Sequence, residues 1–95
     1  MKQVSIFDDD VSDRCYLCGC SGRMDVHHVY GGSCRKTADR MGFVVHLCRH
    51  CHSLIHDSTD GKPLKDFLHR QGQLIYEERI GDRTQFIRDF VRSYL

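Results

Sequence analysis

Residues 15–56 carry the pattern that decides the fold, CYLCGCSGRMDVHHVYGGSCRKTADRMGFVVHLCRHCHSLIH. Two Cys-x-x-Cys pairs stand near its ends at the spacing typical of metal ligands, Cys15 with Cys18 and Cys48 with Cys51. Four thiolates suit a closed, tetrahedral structural zinc site, which in a small module contributes on the order of 10 kcal/mol to folding. We therefore predict a zinc knuckle at these four cysteines. The two remaining cysteines, Cys20 and Cys34, are interpreted as spare thiols, with replacement of Cys18 by Cys20 as the alternative.

Histidines supply a second group of chemically useful side chains within the same stretch. His27 and His28 are adjacent on a predicted strand, so they face opposite ways and can serve different partners. Imidazole titrates near neutral pH and can take a proton from water, which makes His28 the candidate general base. His52 and His56 share one face of a predicted helix. With His27 they are the candidate ligands of a catalytic divalent cation. The alternatives for His56 are a phosphate contact and plain surface exposure.

This order of cysteines and histidines, with VHHVYGG followed by LCRHCHSLIH, resembles the HNH nuclease family. The resemblance covers roughly Arg14 to Asp57 and implies a ββα-metal core pinned by the zinc knuckle. It also implies that the second histidine of the pair is the base and that His27 and His52 hold the metal. The family has an asparagine about five residues before Cys48, where this chain has Phe43. His46 is a candidate substitute for it, and Asp25 is a candidate to orient a histidine from behind the metal.

Local sequence patterns predict an α+β fold, in which a small zinc-stabilised ββα-metal core is followed by two C-terminal helices. Pro63 suits the first turn of the first of these helices, and Gly81 marks its end. Asp82 is the predicted N-cap of the second helix, and Gln85 three residues later completes a capping box. The other predicted elements are strands at 24–29 and 43–47, a loop at 31–42 and a helix at 48–56. Buried apolar stripes are predicted at Leu64, Phe67, Leu68, Leu74 and Ile75, and at Phe86, Ile87, Phe90, Val91, Tyr94 and Leu95.

Three segments follow from these patterns: an acidic arm at 1–13, the core at 14–57, and a helical extension at 58–95 that packs on the core. The arm contains the run Asp8, Asp9 and Asp10 and shows no periodic apolar face, so we interpret it as flexible. Its alternative is that Val4, Ile6 and Phe7 dock on the body as a short strand.

Positive charge is concentrated in the segment that carries the cysteines and histidines. Residues 14–56 contain six Lys and Arg against two Asp, a net charge of +4, whereas residues 1–13 carry −3 and residues 57–95 are balanced. Such a distribution suits a polyanionic partner, and Arg35, Lys36 and Arg40 in the predicted loop are the candidate phosphate contacts. No apolar run approaches the ~20 residues of a membrane helix, and no signal peptide is recognisable. We therefore expect a cytoplasmic protein with reduced thiols and no membrane partner.

Together with the resemblance, these features predict an HNH endonuclease that hydrolyses DNA phosphodiester bonds. It would use a structural Zn²⁺ and a catalytic Mg²⁺, Mn²⁺, Ni²⁺ or Zn²⁺. The alternatives are a non-catalytic, zinc-stabilised nucleic-acid-binding module and a zinc protein that binds another protein. The histidine pair favours the enzyme, because a zinc knuckle alone needs no such pair. The resemblance further implies a phage or mobile-element context, with a second copy of the chain or a phage or host protein as candidate partners besides DNA.

Overall fold

A computed structural model of the protein describes residues 5–57 and 59–95. In these residues the chain forms a two-stranded antiparallel sheet and four α-helices, which confirms the predicted α+β class with two C-terminal helices. Among the described helices, none combines the length and apolar character that a membrane-spanning segment requires. The elements are β1 (Asp25–His28), a 3-10 turn (Gly32–Cys34), α1 (Arg35–Met41), β2 (Val44–Leu47), α2 (Arg49–Ile55), α3 (Lys62–Arg79) and α4 (Arg83–Phe90).

The two strands lie where the sequence predicts them, each slightly shorter than expected. His27 of β1 is opposite Val45 of β2, and His28 is opposite Val44. Both valines are fully buried, because β-branched side chains suit a packed sheet face. The helix that follows β2 begins after Cys48, whose sulfur accepts a hydrogen bond from the Cys51 backbone N–H and so caps it.

The segment between the strands differs from the prediction, because residues 31–42 contain a helix instead of an irregular loop. After Gly31 the chain makes the 3-10 turn and then α1. Lys, Arg, Ala and Met in α1 are good helix formers, and its Ala38 is fully buried against the core. Gly42 ends the helix in a left-handed conformation with φ of 83°, a backbone state that glycine adopts without a steric cost. The glycines and polar residues around this short helix obscured it in the sequence.

Both C-terminal helices begin where they were predicted, and α3 also ends there, whereas α4 ends at Phe90, before the last residues of its predicted apolar stripe. Pro63 lies in the first turn of α3, which ends two residues before Gly81. The Asp82 carboxylate accepts a hydrogen bond from the Gln85 backbone N–H, and the Gln85 side chain accepts one from the Asp82 N–H. This is the expected capping box.

The buried faces of these helices were predicted only in part. Phe67 and Leu74 are 42% and 49% exposed, and Ile87, Val91 and Leu95 are also exposed. The buried line of α3 instead runs through Leu68, Gly72, Gln73 and Tyr76. Gly72 is required there, because a methyl group at this position would collide with the Tyr30 hydroxyl.

Tyr30 lies at the centre of the aromatic core that joins the two halves of the chain. Its ring centroid lies 4.5 Å from that of Phe90, 5.6 Å from that of Phe86 and 5.7 Å from that of Phe43. The Tyr30 hydroxyl donates a hydrogen bond of 2.8 Å to the carbonyl of His69 in α3. The residues after β1 and both C-terminal helices therefore share one core.

The described part of the N-terminal arm is docked, so its interpretation as flexible is wrong for residues 5–13. Phe7 is 2% exposed and packs edge-on against Tyr16 and Phe43. The Ile6 N–H donates a hydrogen bond of 2.7 Å to the Gly42 carbonyl. Docking through Ile6 and Phe7 was the alternative, although these residues do not form a strand, and Val4 lies outside the described residues.

Candidate metal centres

Four cysteine side chains converge from the two ends of the motif-bearing stretch. The sulfur atoms of Cys15, Cys18, Cys48 and Cys51 all lie within 4.8 Å of one another. Those of Cys18 and Cys48 are 3.8 Å apart. A tetrahedral zinc with Zn–S bonds of about 2.3 Å requires sulfur separations of about 3.8 Å. The four thiols therefore fit a structural metal ion such as zinc.

Backbone N–H groups form hydrogen bonds with sulfur atoms of this thiol cluster. The N–H groups of Cys18 and Cys51 each point at the sulfur three residues earlier, at 3.4 Å. Burial raises the pKa of the Cys15 thiol, but hydrogen bonds from the backbone at Cys18 and Cys48 outweigh it and lower that pKa to about 6. Cys20, outside the set of four, differs: hydrogen bonds with the Cys18 and Cys48 side chains raise its pKa to about 12. Cys20 thus lies beside the cluster but outside the set of four thiols that fit one metal ion.

Three histidines form a second cluster of potential ligands. His27 comes from β1, and His52 and His56 come from α2 and its C-cap. Their ring centroids are 5.0 to 5.8 Å apart, and one nitrogen of each lies within 4.8 Å of the others. Burial, followed by the charges of the neighbouring histidines, lowers the pKa of His27 to about 4. Because only a neutral imidazole binds a metal, His27 is ready to act as a ligand at neutral pH.

Asp25 lies behind this cluster and contacts one of its members. Its Oδ2 atom accepts a hydrogen bond of 3.0 Å from Nδ1 of His52 and another of 3.1 Å from Nε of Arg49. A carboxylate on one ring nitrogen fixes the tautomer and leaves the other nitrogen for a metal. The hydrogen bond with His52, aided by the charge of Arg49, lowers the pKa of Asp25. The predicted contact between Asp25 and a histidine is therefore present.

His28 contacts a different partner from His27, as the strand alternation predicts. Its Nε2 atom lies 3.0 Å from Oδ1 of Asp39, a residue of α1, and its side chain is 17% exposed. Asp39 was not predicted as a site residue, because α1 itself was not recognised in the sequence. No local signal in the sequence links these two residues, since only the packing of α1 near the end of β1 brings them together.

One groove brings these histidines together with a basic residue. It is lined by His27, His28, His52 and His56, together with Val26, Gly31, Gly32 and Arg35. Arg35, one of the predicted phosphate contacts, thus lies beside the histidine cluster. Lys36 and Arg40 are exposed on the same helix but are not part of the groove lining.

Two residues considered at the sequence level lie away from this groove. His46 is not among the residues that line this groove. Its Nδ1 lies 2.6 Å from Oδ2 of Asp10, whose side chain is only 1% exposed. Phe43 is fully buried in the aromatic core. The suggestion that His46 substitutes for the asparagine of the family pattern is therefore wrong, because His46 lies outside the groove that holds the other histidines.

Comparisons of the chain with protein-family models, curated proteins and solved structures find no match in any of the three. The two ligand clusters and the groove are thus the features from which a function is inferred.

Proposed function

We propose that this protein is a metal-dependent endonuclease of the HNH type that hydrolyses DNA phosphodiester bonds. One observation carries the proposal: a single groove is lined by three potential metal ligands, by a fourth histidine paired with a carboxylate, and by an arginine. Phosphodiester hydrolysis needs a base for the attacking water, positive charge at the leaving oxygen and a contact that positions the phosphate. A purely structural zinc module needs none of these groups.

The histidine cluster fits a catalytic cation better than a structural one. His27, His52 and His56 would provide three protein ligands, and a catalytic site keeps further positions open for water and substrate. Imidazole nitrogens favour Zn²⁺ or Ni²⁺, whereas Mg²⁺ prefers oxygen ligands. When bound, the cation would neutralise charge on the scissile phosphate and stabilise the leaving 3′ oxygen.

His28 is the proposed general base. It takes a proton from the water whose oxygen forms the new bond to phosphorus, while the bond from phosphorus to the 3′ oxygen breaks. The 3′ oxygen then gains a proton from solvent. With Asp39 accepting a hydrogen bond from Nε2–H, Nδ1 of His28 is left as the proton acceptor. Arg35, in the same groove, contacts the phosphate.

Asp39 also accounts for the departure of this chain from the family pattern. The position of the family's asparagine is occupied by Phe43, which belongs to the aromatic core. The orientation of His28 is therefore assigned to Asp39, which reaches it from α1.

The test is nicking of a supercoiled plasmid with Zn²⁺, Ni²⁺, Mn²⁺ or Mg²⁺. His28→Ala should lower the rate roughly 10²–10⁴-fold, the usual loss when a general base is removed. The exposed His50, changed to Ala, is the matched control and should leave the rate unchanged. His27→Ala and His52→Ala should weaken binding of the second metal, the cation at the histidine cluster. Excess metal should therefore partly restore the activity of these two variants but not that of His28→Ala.

Two results would count against this function. If His27→Ala, His28→Ala and His52→Ala all cut the plasmid like the parent, the groove is not the active site. If the parent binds DNA but cuts it with none of the four metals, the protein is the non-catalytic, zinc-stabilised binding module.

A further inference from the structure

We infer that a second groove, lined by Arg23 and Arg49, binds the nucleic-acid backbone on the other side of the scissile phosphate from Arg35. This inference rests on the proposed function, and it assigns the residues that hold the strand beyond the cleaved bond.

The two grooves meet at the histidine cluster. The second groove is lined by Arg23, Asp25, Arg49, His52, Ser53 and His56, with Met24 and Val26. His52, His56 and Val26 line the first groove as well. A backbone that crosses the histidines therefore passes from Arg35 in one groove to Arg23 and Arg49 in the other.

Arg49 is held in place beside the metal-binding residues. Its Nε donates to the same Asp25 oxygen that accepts a hydrogen bond from His52. The Arg49 side chain nevertheless remains 85% exposed, so its guanidinium faces solvent next to the cluster. Asp25 thus places the positive charge of Arg49 beside His52. Arg23 is also exposed and lines the same groove.

Charge on both sides of the cluster suits a polymer of phosphates. A nucleic-acid strand carries one negative charge per nucleotide, so phosphates precede and follow the one being cleaved. A mononucleotide or a phosphate monoester would occupy the histidine site and leave the cations of one groove without a partner. Arginine is well suited to such contacts, because its planar guanidinium bonds phosphate oxygens in pairs. Cleavage within a chain is therefore favoured over removal of a terminal nucleotide.

The first test is DNA binding by the double variant Arg23→Gln/Arg49→Gln in a His28→Ala background, which limits cleavage. Fluorescence anisotropy with a labelled duplex should show binding roughly tenfold or more weaker. The slope of log K against log salt should fall by about 1.8, the value for two lost phosphate contacts. Arg70→Gln/Arg88→Gln, with the same loss of charge at exposed sites on α3 and α4, should keep the slope of its His28→Ala parent. An unchanged slope in Arg23→Gln/Arg49→Gln would overturn the inference.

The second test separates phosphate binding from damage to the metal site. Bis(4-nitrophenyl) phosphate has a scissile diester but no neighbouring phosphates. The double variant, now with His28 intact, should hydrolyse it like the parent, while its kcat/KM on DNA falls roughly tenfold or more. Equal losses on both substrates would mean that Arg49 acts on His52 through Asp25, and the inference would be wrong. If the parent cleaves neither substrate, the proposed function fails, and the binding measurement alone decides whether Arg23 and Arg49 contact the backbone.

Discussion

The Asp39 carboxylate lies 3.0 Å from Nε2 of His28, across the junction between α1 and the end of β1. This pair links a helix of seven residues to the proposed general base. A carboxylate on one imidazole nitrogen selects the tautomer that accepts a proton at the other nitrogen.

Asp39→Asn should therefore slow plasmid cleavage, because an amide can donate to Nε2 and stabilise the opposite tautomer. We expect a loss of roughly 10²- to 10⁴-fold in kcat, because the wrong tautomer leaves the general base without its proton-accepting nitrogen. Zinc content and the affinity for the second metal should stay as in the parent. Asp66→Asn, an equal change at an exposed position of α3, serves as the control. A parental rate for Asp39→Asn would show that His28 is oriented by another group.

Asp25→Asn should weaken metal binding at the histidine cluster and leave the proposed general base, His28, unaffected. The Asp25 carboxylate accepts the hydrogen bond from Nδ1 of His52, and loss of such a contact typically lowers metal affinity about 10- to 100-fold. Calorimetric titration of the zinc-loaded protein with Ni²⁺ measures this affinity directly. Equal affinities in Asp25→Asn and the parent would mean that His52 is not a ligand or needs no orienting partner.

The thiol cluster should hold one zinc ion whose removal unfolds the chain. We expect purified protein to contain about one zinc, and complete chelation to abolish the native circular dichroism spectrum. Cys48→Ser should lose the zinc, because the Cys48 sulfur is part of the four-thiol set, whereas Cys34→Ser should retain it. A native-like spectrum in protein shown by metal analysis to be zinc-free would contradict a structural role for this metal.

Features set by local chemistry could be predicted from the sequence. Cysteine spacing indicated the thiol cluster, β-branched runs indicated the strands, and Asp82 with Gln85 indicated the start of α4. Each Cys-x-x-Cys pair, each strand and the cap depends on residues a few positions apart, whose spacing directly determines their geometry. That the two cysteine pairs meet, 30 positions apart, was inferred from the four ligands that a structural zinc needs.

Features set by tertiary packing could not be predicted in this way. The contact between Asp10 and His46 joins residues 36 positions apart, and no periodicity marks it. Likewise, α3 packs on the core through the face that places Gly72 against Tyr30. Phe67 is on another face of this helix and is therefore exposed. Among the candidate site residues, the potential metal ligands and phosphate contacts were recognisable by residue type, but the partners that orient them depended on the fold.

The folded protein should lose stability as the pH falls, partly through His27. Burial and the neighbouring histidines lower its pKa from 6.5 to about 4, so at about pH 5 the unfolded chain binds a proton that the folded chain does not. The free energy of unfolding therefore decreases as the pH drops from 6.5 towards 4, by up to about 3 kcal/mol from this residue.

Urea unfolding of the zinc-loaded protein at about pH 7 and about pH 5, without a second metal, measures this dependence. His27→Asn should reduce the difference between the two pH values, while His50→Asn at an exposed position should preserve it. The same pH dependence in His27→Asn as in the parent would assign the effect to other groups, such as the zinc-binding thiols.

Phe86→Ala should strongly destabilise the protein, whereas Ile87→Ala one position later should not. Phe86 is fully buried against Tyr30, Tyr76 and Phe90, so its truncation leaves a cavity and should cost about 3 kcal/mol or more. Ile87 is 39% exposed on the same helix and loses less contact, which makes it a matched control. Thermal unfolding should show a drop in Tm above 10 °C, by the usual scaling of roughly 4–8 °C per kcal/mol for a domain of this size, for Phe86→Ala alone. Similar Tm values for the two variants would mean that α4 does not pack on Tyr30 in solution, and the shared aromatic core would have to be abandoned.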